Sequence, residues 1–159
     1  MDTFSHIDDT GKAAMVDVSE KSVTRRSATA RSIVVLPEAV YKELAGGEIQ
    51  SAKGPVFQTA ILAGIMAAKK TGELIPLCHP LGLDNCRITI NVNEQKKELV
   101  IDCTAAITAK TGIEMEALVG ASIAALTVYD MCKALSHDIV IKETRLLEKT
   151  GGKNDFKRT

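Results

Sequence analysis

The stretch LIPLCHPLG, Leu74–Gly82, sets a cysteine beside a histidine between two prolines. Four roles suit Cys78 and His79: metal ligation, a nucleophile with its base, contact with a substrate, or plain packing. Pro76 and Pro80 restrict the chain on both sides, so the backbone N–H and C=O groups between them are held in fixed directions. Small thiols are often simply buried, which favours packing for Cys78. A metal at His79 lacks partners in the local sequence. The four cysteines, Cys78, Cys86, Cys103 and Cys132, form no CxxC and follow no zinc-ligand spacing.

A second constellation lies in IEMEALVGASIAALTVYDMCKAL, which reads as a long helix from about Ile113 to Leu135. Asp130 and Lys133 are three residues apart and so are neighbours on its surface. Such a pair is an ordinary helix salt bridge unless it meets a substrate, where it can move protons. Glu114 and Glu116 are two apart and point to different sides, a poor acid–base pair within one chain. At the helix start Glu114 either satisfies free N–H groups and the helix dipole or contacts a ligand. Glu116 and Asp130 are separated by fourteen residues, about 21 Å at 1.5 Å per residue. One small molecule hardly bridges them in a single chain.

The helix is also too apolar for one partner. One stripe, Leu118, Ala121, Ser122, Ala125, Tyr129 and Cys132, has the spacing to cover a sheet. A second apolar set, Val119, Ile123 and Leu126, lies about 100° around the axis. Either the helix is central within the monomer, or the second face meets another subunit. The second reading is favoured, because few other elements remain to cover that face. Two such helices paired antiparallel about a two-fold axis bring Glu116 of one chain towards Asp130 of its mate. A composite site then forms twice at one interface.

The elements that must hold these residues follow from patterning. RSIVVL (31–36) is a short β-branched strand, and PEAVYKELAGG reads as a helix from Pro37 to Gly46. A second helix starts near Pro55, with Phe57, Ala60, Ile61, Gly64, Ile65 and Ala68 on one stripe, Lys69 and Lys70 in its last turn, and Gly72 ending it. CRITINV and LVIDCTAAI make a hairpin, with Ile88, Ile90 and Val92 alternating with polar neighbours. HDIVIKETRLL is a last strand. The order predicts an α+β, ferredoxin-like split β-α-β fold, an antiparallel sheet with helices packed on one face. One domain spans residues 1–159, with 1–20 irregular and 150–159 a mobile basic tail.

Composition excludes several classes. Hydrophobic residues make up 45% and aromatics 3%, so the core is aliphatic and alanine-rich. Lys+Arg and Asp+Glu are 20 each, which removes the electrostatic case for nonspecific nucleic-acid binding, and three Phe and two Tyr are too few for an RNA-stacking sheet. No P-loop motif occurs. No uncharged apolar run reaches membrane-span length and no signal-peptide pattern opens the chain, so a cytoplasmic protein with reduced thiols and no membrane contact is expected. A non-enzymatic ligand-binding or scaffold oligomer fits the doubly apolar helix as well as an enzyme does.

LIPLCHPL, KTGIEMEAL, ALTVYDMCKA and RLLEKTGG, in this order, resemble the cyclic pyranopterin monophosphate synthase family of molybdenum cofactor biosynthesis, from MVDVSEK to KTGG. Thr150 stands where many relatives are expected to carry Ser, and it keeps the hydroxyl. The resemblance implies a cofactor-independent, metal-free lyase. Its substrate is 3′,8-cyclo-7,8-dihydroguanosine 5′-triphosphate, and its products are cyclic pyranopterin monophosphate and diphosphate. It implies a homohexamer, a trimer of dimers with pockets at the dimer interface, acting after a radical-SAM enzyme. Leu77, Cys78 and His79 match the family's substrate-binding turn, and Met115 and Glu116 its second binding segment. Asp130 matches the catalytic aspartate, with Lys133 beside it and Lys53 as a further catalytic lysine. Arg26 and Lys149 match basic positions suited to phosphate, and Lys69 is a weaker candidate of that kind.

Overall fold

A computed structural model describes residues 4–159. Its main sheet is antiparallel and runs in the order β5-β6-β1-β7-β8. These are β1 (Thr24–Val35), β5 (Asn85–Asn93), β6 (Glu98–Ala109), β7 (Val140–Thr150) and β8 (Phe156–Lys157). Two long helices, α2 (Val56–Ala68) and α4 (Glu114–Cys132), connect β1 to β5 and β6 to β7. Leaving β8 aside, this is the ferredoxin-like order expected of a split β-α-β chain.

The helix side of the sheet is apolar: Ala28, Ala30, Val34, Leu99, Ile101, Cys103 and Ala105 are buried there. The opposite side carries cross-strand polar pairs. Ser27 meets Thr150 at 2.9 Å and Thr29 meets Thr104 at 2.8 Å. Arg31 donates two hydrogen bonds to Asp102, at 2.7 and 2.8 Å. Alternation of period two therefore fixes which face the helices cover.

Three expectations change. The first strand begins at Thr24, because small and hydroxyl residues from Ser27 to Ala30 are paired on both sides, by β6 and β7. The helix expected over 37–46 is a single turn, α1 (Glu38–Tyr41), followed by a small sheet of β2 (Leu44–Ala45), β3 (Glu48–Ser51) and β4 (Gly54–Pro55). Gly46 and Gly47 have φ of 59° and 77°, and positive φ at both central residues favours a hairpin turn over a helix end. Nor does Gly72 end α2. That helix stops at Ala68, and Gly72 lies in the one-turn α3 (Thr71–Leu74).

The sheet-facing stripe of α4 is also rotated by about one residue. Ala117, Gly120, Ala121, Ala124, Ala125, Val128, Met131 and Cys132 are buried, while Leu118, Ser122 and Tyr129 are only partly covered. The cause is α2, which packs beside α4 and recruits the small residues. An added Cβ on Gly64 would lie 2.6 Å from the Gly120 carbonyl oxygen and 2.4 Å from Ile88 Cδ1. One on Gly120 would lie 2.6 Å from Cys103 Sγ. By length and hydropathy α4 is apolar enough to span a membrane, but half of that window is buried inside the fold.

This crossing gives a stability prediction. Gly64→Ala gains about 1 kcal/mol of helix propensity but overpacks against a carbonyl that cannot rotate away, at a cost of about 3 kcal/mol. A net loss of about 2 kcal/mol is expected, seen as a lower urea midpoint at fixed protein concentration. A midpoint equal to the parent's would contradict so close an approach.

Candidate functional site

At the end of the sheet where β6 runs into α4, the helix side opens into a cavity of about 380 Å³. Arg26 near the start of β1 and Lys149 near the end of β7 project into it just beyond the first turn of α4. Arg26 is anchored by its Nε–H, which donates to the Ala109 carbonyl at 3.2 Å. Lys149 donates to Glu114 Oε1 at 2.7 Å, so Glu114 holds a cation rather than closing a free helix N-terminus by itself.

The proline-bounded turn forms another wall. The Cys78 N–H donates to the Ile75 carbonyl at 3.1 Å, and Leu77, Cys78 and His79 all line the cavity half-buried. Met115 and Glu116 line it from α4. Glu116 is 3% exposed, and burial pushes its carboxyl above the usual carboxylate range. Desolvation, with the nearby Glu116, raises the Cys78 thiol as well. A raised thiol holds less of the reactive thiolate, so the geometry lends the nucleophile reading for Cys78 no support.

Seven of the ten expected site residues therefore share one cavity. The other three lie at the far end of α4 and form a second cluster. Asp130 Oδ1 accepts from Lys133 at 2.8 Å and Asp130 Oδ2 from Lys53 at 3.0 Å. Hydrogen bonds from Lys133 and then Lys53 hold the Asp130 carboxyl below its usual range, and Asp130 raises Lys133 in turn. Lys53 reaches this position from the β3–β4 turn. There the Ser51 hydroxyl donates to the Gly54 carbonyl at 2.9 Å and accepts the Lys53 N–H at 3.1 Å. The turn is tied to α2 by Glu48, whose carboxylate accepts the N–H groups of Phe57 at 2.7 Å and Gln58 at 3.2 Å. Lys69, after α2, is exposed and stands outside the cavity wall.

Between the two clusters α4 presents Val119, Ile123 and Leu126, the last 53% exposed, and α2 presents Leu62 at 60% and Met66 at 51%. The second apolar face inferred from the sequence is thus only partly covered in a single chain, with Leu126 exposed and Val119 and Ile123 half-buried.

Residues 15–152 match the MoaC family. The chain belongs to the MoaC family. It is 55% identical over 154 residues to a cyclic pyranopterin monophosphate synthase of Xanthomonas campestris, an alignment that covers 96% of this chain and 92% of the relative. A protein of the same name from Heliobacterium modesticaldum is 49% identical, covering 97% and 96%. A molybdenum cofactor biosynthesis bifunctional protein of Synechocystis is 51% identical over 98% of this chain, which spans only 46% of that longer protein.

For this MoaC family member the cavity also includes residues that motif reading did not select. Ser5, His6, Val16 and Val18 come from the N-terminal stretch expected to be irregular, Lys21 from just after it, and Lys153 from the stretch expected to be a tail. The tail folds back because Gly151, at φ 84°, tolerates what no side chain would: an added Cβ would lie 2.0 Å from the Arg25 carbonyl oxygen. β8 then pairs with β7 at Glu148 and Lys149. The signals were present as turn chemistry, DDTG near the start and TGG near the end, rather than as periodicity. Among the described residues Lys21 and Lys153 have no carboxylate within ion-pair distance. With Arg26 and Lys149 they place four basic side chains on the cavity wall, beside Glu114 and Glu116.

Proposed function

We propose that this protein is a cyclic pyranopterin monophosphate synthase. It converts 3′,8-cyclo-7,8-dihydroguanosine 5′-triphosphate to cyclic pyranopterin monophosphate and diphosphate in molybdenum cofactor biosynthesis. The observation that carries the reading is the cavity that joins the Leu77–His79 turn, Met115 and Glu116 to Arg26 and Lys149, in a chain whose relatives bear that name. The reaction is that of a lyase, and the chain's own acids and cations supply the chemistry without a cofactor.

The fixed backbone of Leu77–His79 and the Glu116 carboxyl meet the planar ring system. Arg26 grips phosphate oxygens through its fork and Lys149 acts as a point charge, stabilising charge that develops as diphosphate leaves. Proton transfers during ring reorganisation fall to Asp130, held as a carboxylate by its two lysines, with Lys133 as the matching donor. Because the two clusters occupy opposite ends of α4, the working site combines the cavity of one chain with the Asp130 cluster of its mate. Pairing through the partly covered apolar faces of α2 and α4 supports a dimer, and three such dimers give the hexamer implied by the sequence resemblance. The preceding radical-SAM enzyme supplies the substrate. The four cysteines are unpaired thiols, which suits a cytoplasmic location.

Incubating the purified protein with the cyclised nucleotide and measuring diphosphate release tests this directly. Stoichiometric release with turnover is expected, unaffected by chelator. Tight binding without release would instead favour a ligand-binding scaffold.

A further inference from the structure

Residues 5–21 form part of the cavity wall, yet the reaction described above uses none of them. The segment is built as a hairpin. Asp8 Oδ1 accepts the Thr10 N–H at 2.9 Å, the Thr10 hydroxyl at 2.7 Å and the Lys12 N–H at 2.9 Å. Gly11 completes the turn at φ 78°. Ile7 bridges Ala13 in antiparallel fashion, and the Ala14 N–H donates to the His6 carbonyl at 3.0 Å. The returning arm is tied down further on, where Lys110 Nζ donates to the Ser19 carbonyl at 2.8 Å.

The hairpin thus fixes the backbone of His6, while the imidazole has no hydrogen-bond partner among the described residues and lies on the cavity wall. A histidine kept for packing would be buried, but His6 is exposed. Lys21, at the far end of the same segment, adds a cation to the wall.

We infer that His6 is a substrate-contacting residue. The N-terminal hairpin carries its imidazole to the cavity, where it donates a hydrogen bond to an oxygen of the phosphorylated nucleotide. This rests on the functional reading above. The hairpin is a preformed wall of the site, and its turn at Asp8 sets where the ring stands.

The test is steady-state diphosphate release by the full chain carrying His6→Ala, His6→Asn or Asp8→Ala. Loss of one hydrogen bond to a charged ligand predicts a KM raised about tenfold in His6→Ala, with kcat within about twofold of the parent. His6→Asn, which keeps a donor, recovers most of the affinity. Asp8→Ala raises KM in the same direction although His6 is retained. Parent turnover with an unmoved KM in His6→Ala overturns the inference alone. A parent protein that releases no diphosphate overturns the functional reading, and this inference falls with it.

Discussion

Asp130→Asn lowers kcat for diphosphate release by about 10²–10⁴-fold, the usual range for removing a general acid or base, while the chain folds, assembles and binds substrate. Asparagine keeps the shape and one acceptor oxygen but cannot take up a proton. The fold tolerates the change because Asp130, Lys53 and Lys133 are all about half exposed in the chain, at 50%, 61% and 48% of their side chains. Exposed pairs of this kind add little to stability. Lys133→Ala and Lys53→Ala lower kcat in the same direction, and pairing either with Asp130→Asn adds little, because the three act as one unit. Single-turnover measurements separate the chemical step from binding. An Asp130→Asn rate within about threefold of the parent would remove Asp130 from the chemistry.

The sequence carried the elements with strong period-two or helical patterns and lost those set by turns and by helix–helix contact. β5, β6, α2 and α4 were legible because alternation and the apolar stripe record burial directly. The β2–β3 hairpin was not, since Gly46 alone reads as a helix end and only the φ values of Gly46 and Gly47 together show the turn. The rotation of α4 was hidden for a related reason. Small residues carry little hydrophobic signal, yet Gly64, Gly120 and Ala124 decide which face meets α2. The larger side chains of Leu118 and Tyr129 drew the expected stripe towards a face that is only partly covered.

The candidate site divides in the same way. Proline restriction marks the Leu77–His79 turn as a rigid feature, whereas its binding role and that of Met115 and Glu116 come from the family resemblance. The N-terminal hairpin carries no such mark, because its contribution depends on hydrogen bonds to one aspartate rather than on any repeating pattern. The fourteen-residue gap between Glu116 and Asp130 was legible as a distance. The structure keeps the two clusters at opposite ends of α4, the separation on which the proposed two-chain pocket rests.

That separation makes a mixing experiment decisive. Glu116→Gln and Asp130→Asn are each expected to be almost inactive as pure proteins. When the two are co-expressed in equal amounts and pair at random, about half of the dimers hold one chain of each kind. If every pocket draws Glu116 from one chain and Asp130 from the other, each mixed dimer contains one pocket with both defects and one with neither. About a quarter of all pockets are then intact, so about a quarter of the parent turnover per chain returns. Pockets built within single chains contain a defect in every case, and mixing restores nothing. The uncovered stripe of Leu62, Met66 and Leu126 supplies the control. Leu126→Glu places a charge on that face, and if the face joins two chains it abolishes both the dimer and the recovered activity. Recovery near zero in the co-expressed pair, with both single variants folded and assembled, would place the whole site in one protomer and refute the shared pocket.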